Sequence, residues 1–261
     1  MTVPSSHSRP VRHAEFRFYE ELNDFLPGSR QKVSFTYRFH GTPSVRDAIQ
    51  ALGVPHTAVD LVLVDGRSVD FGHRLSGGEH VSVYPVFERL DISPLVRLRP
   101  EPLRDSRFVA DVHLGRLAHY LRMLGFDTLH EPGWDKNSLI ETALGDGRVI
   151  LTRDVGVLKQ SRVTHGYWLR HQRPLEQLRE VVVALDLGRQ ARPFTRCMEC
   201  NGLLRPVDRE RLVGRVDAAI LERFNAFREC ADCSRVFWRG SHYRRMLQWV
   251  RSIVPEARVE P

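Results

Sequence analysis

The first 40 residues carry two stretches of strict alternation, "AEFRFY" from Ala14 and "QKVSFTYRF" from Gln31. Apolar and polar side chains take turns in both, as they do in strands with one buried face. The period then changes. In "PSVRDAIQALGV", Val45, Ala48, Ile49 and Leu52 share one helical face, with Ser44 placed to cap it, Asp47 three residues on, and Gly53 to end it. "VDLVLVDGRSVDF" reads as strand, turn at Asp65-Gly66 and short strand, and "GGEHVSVYPVF" as a last strand. The whole predicts a small α+β unit over residues 13–90. Residues 1–12, polar and bearing Pro and Ser, read as a disordered tail.

"SPLVRLRPEPLRDSR", with three prolines and no period, reads as a linker, residues 91–107. Strands and helices alternate after it. "RFVAD" is a short strand ending in Asp111, and "VHLGRLAHYLRML" a helix with Leu114, Leu117, Ala118, Leu121 and Leu124 on one stripe and Gly125 closing it. "FDTLHE" reads as a second strand, "DKNSLIETALGD" as a helix, "RVILTRD" as a third strand, "VGVLKQS" as a helical turn and "VTHGYWL" as a fourth strand. "PLEQLREVVVALDLG" closes the series as a helix with Pro174 near its start. Strands separated by helices predict an α/β domain, a parallel sheet flanked by helices.

Charge adds a direction. Of 261 residues, residues 1–90 hold 10 Lys/Arg against 10 Asp/Glu, residues 91–188 hold 14 against 13, and residues 189–261 hold 15 against 9. The net charge of +7 therefore sits almost wholly in the last third. A polyanion such as nucleic acid is the usual partner of such a surface. Codon bias is the rival explanation, since 36 of the 39 basic residues are Arg, but bias would spread the excess evenly. No apolar run approaches the roughly 20 residues of a membrane span, and "MTVPSSHSRPVRH" has no apolar leader core. Four cysteines in two CxxC pairs point to a reducing, cytoplasmic location.

The ends of parallel strands gather on one edge of a sheet, where ligands bind. Asp111 and Asp154 each follow an apolar strand, and Asp135 begins the intervening helix. Each is also a good helix cap, and for any one alone capping is the simpler account. Recurrence at one topological place favours convergence. Converging carboxylates repel unless a cation neutralises them, and hard oxygens suit Mg²⁺ or Mn²⁺, which activate water against a phosphodiester. Arg153 either grips a phosphate and orients Asp154 or makes a surface salt bridge. Glu131 and Glu141 are weaker acidic candidates, and Asp146 fits a turn in "GDG".

"CMEC" (Cys197, Cys200) and "CADC" (Cys230, Cys233), 29 residues apart, have the bite of a four-cysteine structural Zn²⁺ site. Two local disulfides or a redox dithiol are the rivals, and neither accounts for paired knuckles. "SRVFWRGSHYRRMLQW" interleaves Arg235, Arg239, Arg244 and Arg245 with Phe237, Trp238 and Tyr243, the composition of a surface that stacks and grips single-stranded RNA. Phe237 and Trp238 equally suit the small core of a zinc ribbon.

"VDLVLVDG" and "GGEHVSVYP" resemble the ubiquitin-like β-grasp domains related to sulfur carriers, although the chain runs on where a carrier ends in Gly-Gly. "VADVHLGRLAHYLRMLGFDT", then "RVILTRD" and a paired-CxxC tail, resemble the PIN-like ribonuclease domain of the Mut-seven C-terminal type, over roughly residues 14–250. That resemblance implies a PIN-like domain over residues 108–189, a zinc ribbon over 190–250 and a tail over 251–261. It further implies RNA hydrolysis with Mg²⁺ or Mn²⁺ held by Asp111, Asp135 and Asp154; Arg116 and Arg153 are candidate RNA contacts beside them. Transfer RNA, ribosomal RNA and single-stranded RNA are all open as partners, as is a protein partner for the β-grasp domain. PIN sites often add a fourth acid, and "VGVLKQ" after Asp154 holds none. The second reading is therefore a non-catalytic RNA-binding adaptor, and the third, a sulfur-carrier or conjugation role for the first domain, lacks its terminus.

Overall fold

A computed structural model of the chain describes residues 10–85 and 106–257. Most of the expected linker at 91–107 and most of the tail at 1–12 lie outside the described residues. The chain divides into two compact units, one of Met1–Pro102 with Asp154–Gly166, the other of Leu103–Arg153 with Tyr167–Pro261.

The first unit is built on strands β1 (Val11–Phe18) and β2 (Phe35–His40), helix α1 (Val45–Ala51), then β3 (Val59–Val64), β4 (Arg67–Val69) and β5 (His80–Pro85). Their order in the sheet is β2-β1-β5-β3-β4, with β1 antiparallel to β2 and parallel to β5. This mixed sheet, its apolar face closed by α1, is the arrangement expected of a β-grasp. The alternation read from the sequence puts Phe16, Phe18, Val81 and Val83 on the buried face with Val45, Ile49 and Leu75. Ser44 and Asp47 form the capping box: Ser44 Oγ accepts from the Asp47 N–H at 3.1 Å, and Asp47 Oδ2 from the Ser44 N–H at 3.2 Å. β1 starts at Val11, inside the stretch expected to be disordered, because Val11 and Arg12 find ladder partners in His40 and Phe39. Segment 154–166 contains helix α4 (Val155–Leu158); beyond it the Lys159 carbonyl accepts from Gln50 Nε2 at 2.6 Å.

The second unit begins with β6 (Phe108–Ala110), α2 (Gly115–Met123), β7 (Thr128–Leu129), α3 (Lys136–Asp146) and β8 (Val149–Thr152). It continues through β9 (Gly166–Trp168), whose first residue falls in the other unit, and α5 (Pro174–Ala184). The sheet order is β7-β6-β8-β9, and β6 runs parallel to both β7 and β8. The strand expected over "FDTLHE" is only two residues long. The Asp127 carbonyl accepts from the Phe108 N–H at 2.7 Å, while its side chain holds Arg148, Arg196 and Asn201. Gly125 ends α2 at φ +92°, where a Cβ would lie 2.0 Å from the Arg192 carbonyl, so no other residue fits.

β10 (Leu204–Val207), α6 (Ala218–Arg223), β11 (Phe227–Cys230) and β12 (Val236–Trp238) complete a three-stranded antiparallel sheet, followed by α7 (Ser241–Ile253). Met246, Val250 and Val254, spaced four apart, dock α7 into the core formed by Leu117, Leu121, Leu178 and Val181. The last helix thus belongs to the same core as α2 and α5, and the chain stays packed on it as far as Ala257.

Candidate active site and metal centre

β6 and β8 deliver their ends side by side, and the Asp111 N–H donates to the Leu151 carbonyl at 2.9 Å. Asp111 precedes a 3₁₀ turn (Val112–Leu114) but makes no side-chain capping bond to it. Its Oδ2 instead accepts from Thr152 Oγ1 at 2.5 Å. Thr152 is fully buried, and its branched side chain is stiff about χ1, so β8 fixes the direction of a carboxylate borne by β6. For Asp111 the choice between cap and oriented carboxylate falls on the second.

The other two aspartates behave differently. Asp135 caps α3, accepting from the Ser138 N–H at 2.8 Å and its hydroxyl at 2.7 Å, and these two donors hold its carboxyl below the usual range. Asp154 caps α4, accepting from the Gly156 N–H at 2.8 Å. Both caps engage Oδ1, and a carboxylate has lone pairs for several partners, so capping does not exhaust either group. Asp146 is a structural partner of Arg148 at 2.9 Å. Glu131 and Glu141 are exposed.

His130, immediately after β7, stands at the same edge. Its Nε2 lies 3.1 Å from the Val112 carbonyl, and its ring crosses the start of α2 where Gly115 leaves room; a Cβ there would meet the ring at 3.0 Å. Neither Thr152 nor His130 was visible as a site residue in the sequence. The available signal was position alone, each standing where a parallel strand ends.

Among the described residues, one group of three or more His, Cys, Asp or Glu has all its ligand atoms within 4.8 Å of one another: Cys197, Cys200, Cys230 and Cys233. The cysteine sulfurs approach at 3.7 Å (Cys197–Cys233) and 3.3 Å (Cys200–Cys230), against about 3.8 Å for the edge of a tetrahedron with Zn–S bonds of ~2.3 Å. All four are free thiols, two buried and two exposed. Burial pushes Cys197 up, and burial with the crowding of its neighbours pushes Cys200 up to about 12. Burial opposes ionisation of Cys230 too. The N–H groups of Cys233 and Asp232 and two neighbouring thiols donate to it, however, and bring it below a thiol's ordinary value. Four thiols so placed can ionise together only with a cation among them, and Zn²⁺ fits the donor set. A zinc ion held by all four would have no open position for chemistry, so such a centre would be structural.

The arginines singled out in the sequence are all exposed. Arg153 lies at the acidic edge, its carbonyl accepting from Trp168 Nε1 at 3.2 Å, and Arg116 lies in the first turn of α2. Arg235 pairs with Glu199 at 3.1 Å, and Arg239 lies over the Tyr243 ring at 5.7 Å. Arg244 and Arg245 stand on the polar side of α7, opposite the apolar row that faces the core. Trp238 packs on the small core of Leu212, Leu221 and Phe227, as the ribbon reading required of it. No helix among the described residues is long and apolar enough to cross a membrane.

Against family models, residues 106–250 match the Mut7-C RNAse domain and residues 11–91 match Mut7-C ubiquitin. Searches of curated proteins and of solved structures each find no match.

Proposed function

Because the chain belongs to the Mut7-C RNAse domain family, we propose that it is a metal-dependent ribonuclease whose acidic edge hydrolyses RNA phosphodiesters. The observation that carries the reading is the Thr152–Asp111 hydrogen bond: a carboxylate at a strand end, oriented by the neighbouring strand rather than used as a cap. Asp111 is the anchoring ligand, and Asp135 and Asp154 supply further oxygens. Mg²⁺ is commonly held through one or two carboxylates with water completing its shell, so Asp111 and one neighbour suit such an ion without a gathered trio. A bound Mg²⁺ or Mn²⁺ would polarise the phosphodiester and lower the pKa of a coordinated water.

The remaining roles belong to the basic side chains. Arg153 and Arg116 hold phosphate near the acids, and Arg235, Arg239, Arg244 and Arg245 grip the flanking RNA by charge. The four cysteines hold zinc, and their reduced state suits the cytoplasm. The β-grasp domain is a positioning or partner module.

The capping roles of Asp135 and Asp154 favour one competing reading, an RNA-binding adaptor without catalysis. Cleavage of structured and unstructured RNAs with Mg²⁺ or Mn²⁺, by the wild type and by Asp154→Asn, separates the two. Metal-dependent cleavage by the wild type that the variant loses supports the nuclease. Binding without cleavage by either protein supports the adaptor.

A further inference from the structure

Arg122 is a charged residue in the buried stripe of α2, with only 7% of its surface exposed. Its guanidinium is held on three main-chain carbonyls. Nε donates to the Thr128 carbonyl at 2.8 Å, and one terminal nitrogen donates to the carbonyls of Met198 at 3.2 Å and Glu199 at 2.5 Å. Met198 and Glu199 are the two residues between Cys197 and Cys200. The N–H groups on the far side of those two peptide bonds, from Glu199 and Cys200, donate to the Cys197 sulfur. In a trans peptide the C=O and N–H point in opposite directions, so a cation held on the two carbonyls aims and polarises the two N–H groups at the thiolate. A zinc ion with four thiolates carries a net charge of about −2, and burying it needs a compensating cation nearby.

The same side chain reaches the nuclease sheet. Among the described residues β7 is an edge strand, paired with β6 alone. The outward main-chain groups of Thr128 would be open, but the carbonyl is taken by Arg122 and the N–H donates to Asn201 Oδ1 at 3.0 Å. Asn201 directly follows Cys200, at φ +75°, its own N–H donating to the Cys197 carbonyl at 3.0 Å. The first cysteine knuckle therefore takes the place of a missing strand beside β7.

We propose that Arg122 is the positioning and charge-balancing residue of the zinc centre, and that through it and Asn201 zinc occupancy governs the order of edge strand β7 and helix α2. The proposal rests on the zinc reading of the four cysteines and is independent of catalysis. Zinc then acts as a clasp on the nuclease sheet as well as on the ribbon.

Hydrogen exchange of the full chain, zinc-loaded and after chelation, tests the coupling. Residues 117–130 should lose protection with the metal, with Thr128 foremost, while β1 and β5 keep theirs. Competition with a chromophoric zinc chelator tests the residue. Arg122→Lys keeps the charge but cannot span the three carbonyls, and it should bind zinc about 10- to 100-fold more weakly, the usual effect of losing such an outer partner. Unchanged exchange over 117–130 in the stripped wild type would overturn the coupling, whether or not the variant folds. Zinc affinity of Arg122→Lys within twofold of wild type would overturn the role of Arg122. A wild-type chain that binds no zinc at all would remove the zinc reading, and the proposal with it.

Discussion

Thr152 Oγ1 donates to Asp111 Oδ2 at 2.5 Å, across 41 residues of chain and between two parallel strands. The bond is charge-assisted, and its donor is fully buried. Removing a hydrogen bond to a charged group costs about 1.5–3 kcal/mol, which corresponds to roughly 10- to 100-fold. Thr152→Val keeps the shape and loses the donor, so kcat/KM for metal-dependent RNA cleavage should fall by about that factor while the fold persists. Thr152→Ser should retain most of the activity. Equal losses in the two variants would show that packing at this position, not the hydroxyl, is what matters.

Asp127 joins three elements: Arg148 at 2.6 Å, Arg196 at 3.3 Å and Asn201 at 2.8 Å. Removing it leaves Arg148, 7% exposed, without its inner partner. Breaking such a pair typically costs ~3 kcal/mol, and Asp127→Ala should lower the urea-unfolding free energy of the second unit by about that much.

Acid should expose the same carboxylate. Burial works to raise the Asp127 pKa, but Arg148, Asn201 and Arg196 together hold it below the usual carboxylate value. A depressed carboxyl stabilises the fold fully above its unfolded pKa of about 3.9, and that stability is lost as pH falls through the folded value. Glu180, which burial works to raise but the N–H groups of Arg170 and His171, the His171 ring and the Arg170 charge together depress, acts in the same direction. Stability of the second unit should therefore fall steeply below about pH 4, and the slope should be shallower in Asp127→Asn, as urea midpoints measured from pH 5 to 3 would show.

Arg244 and Arg245 lie exposed on α7, whose other side is fixed in the core. Reversing both to Glu should weaken RNA binding without unfolding the helix. Each lost phosphate contact lowers the salt slope on single-stranded RNA by about 0.7, so the double variant should flatten it by roughly 1.4. Fluorescence titrations over a range of salt measure both effects, and unchanged affinity and slope would move the RNA surface elsewhere.

What could be read from the sequence was what is local. The Ser44–Asp47 cap, the α2 stripe closed by Gly125 and the paired cysteines all lie within short windows, and the structure holds each of them. The relationships that give the site its character are not local. Thr152 looked like one more strand residue because its partner is 41 positions away. Nothing near Arg122 in the sequence singled it out, since its acceptors at Met198 and Glu199 are 76 and 77 positions on. The arginines of "SHYRRMLQW" drew attention from Met246, Val250 and Val254, whose spacing ties the last helix to the α/β core.

The central claim is that Asp111 anchors a catalytic metal. Its most direct test is RNA cleavage by wild type and by Asp111→Asn at saturating Mn²⁺ or Mg²⁺, with RNA binding measured alongside. The account predicts cleavage by the wild type that EDTA abolishes, and a loss of at least about 100-fold in Asp111→Asn with RNA affinity unchanged. Cleavage by Asp111→Asn at the wild-type rate, or a wild type that binds RNA and leaves it intact with either metal, would contradict it.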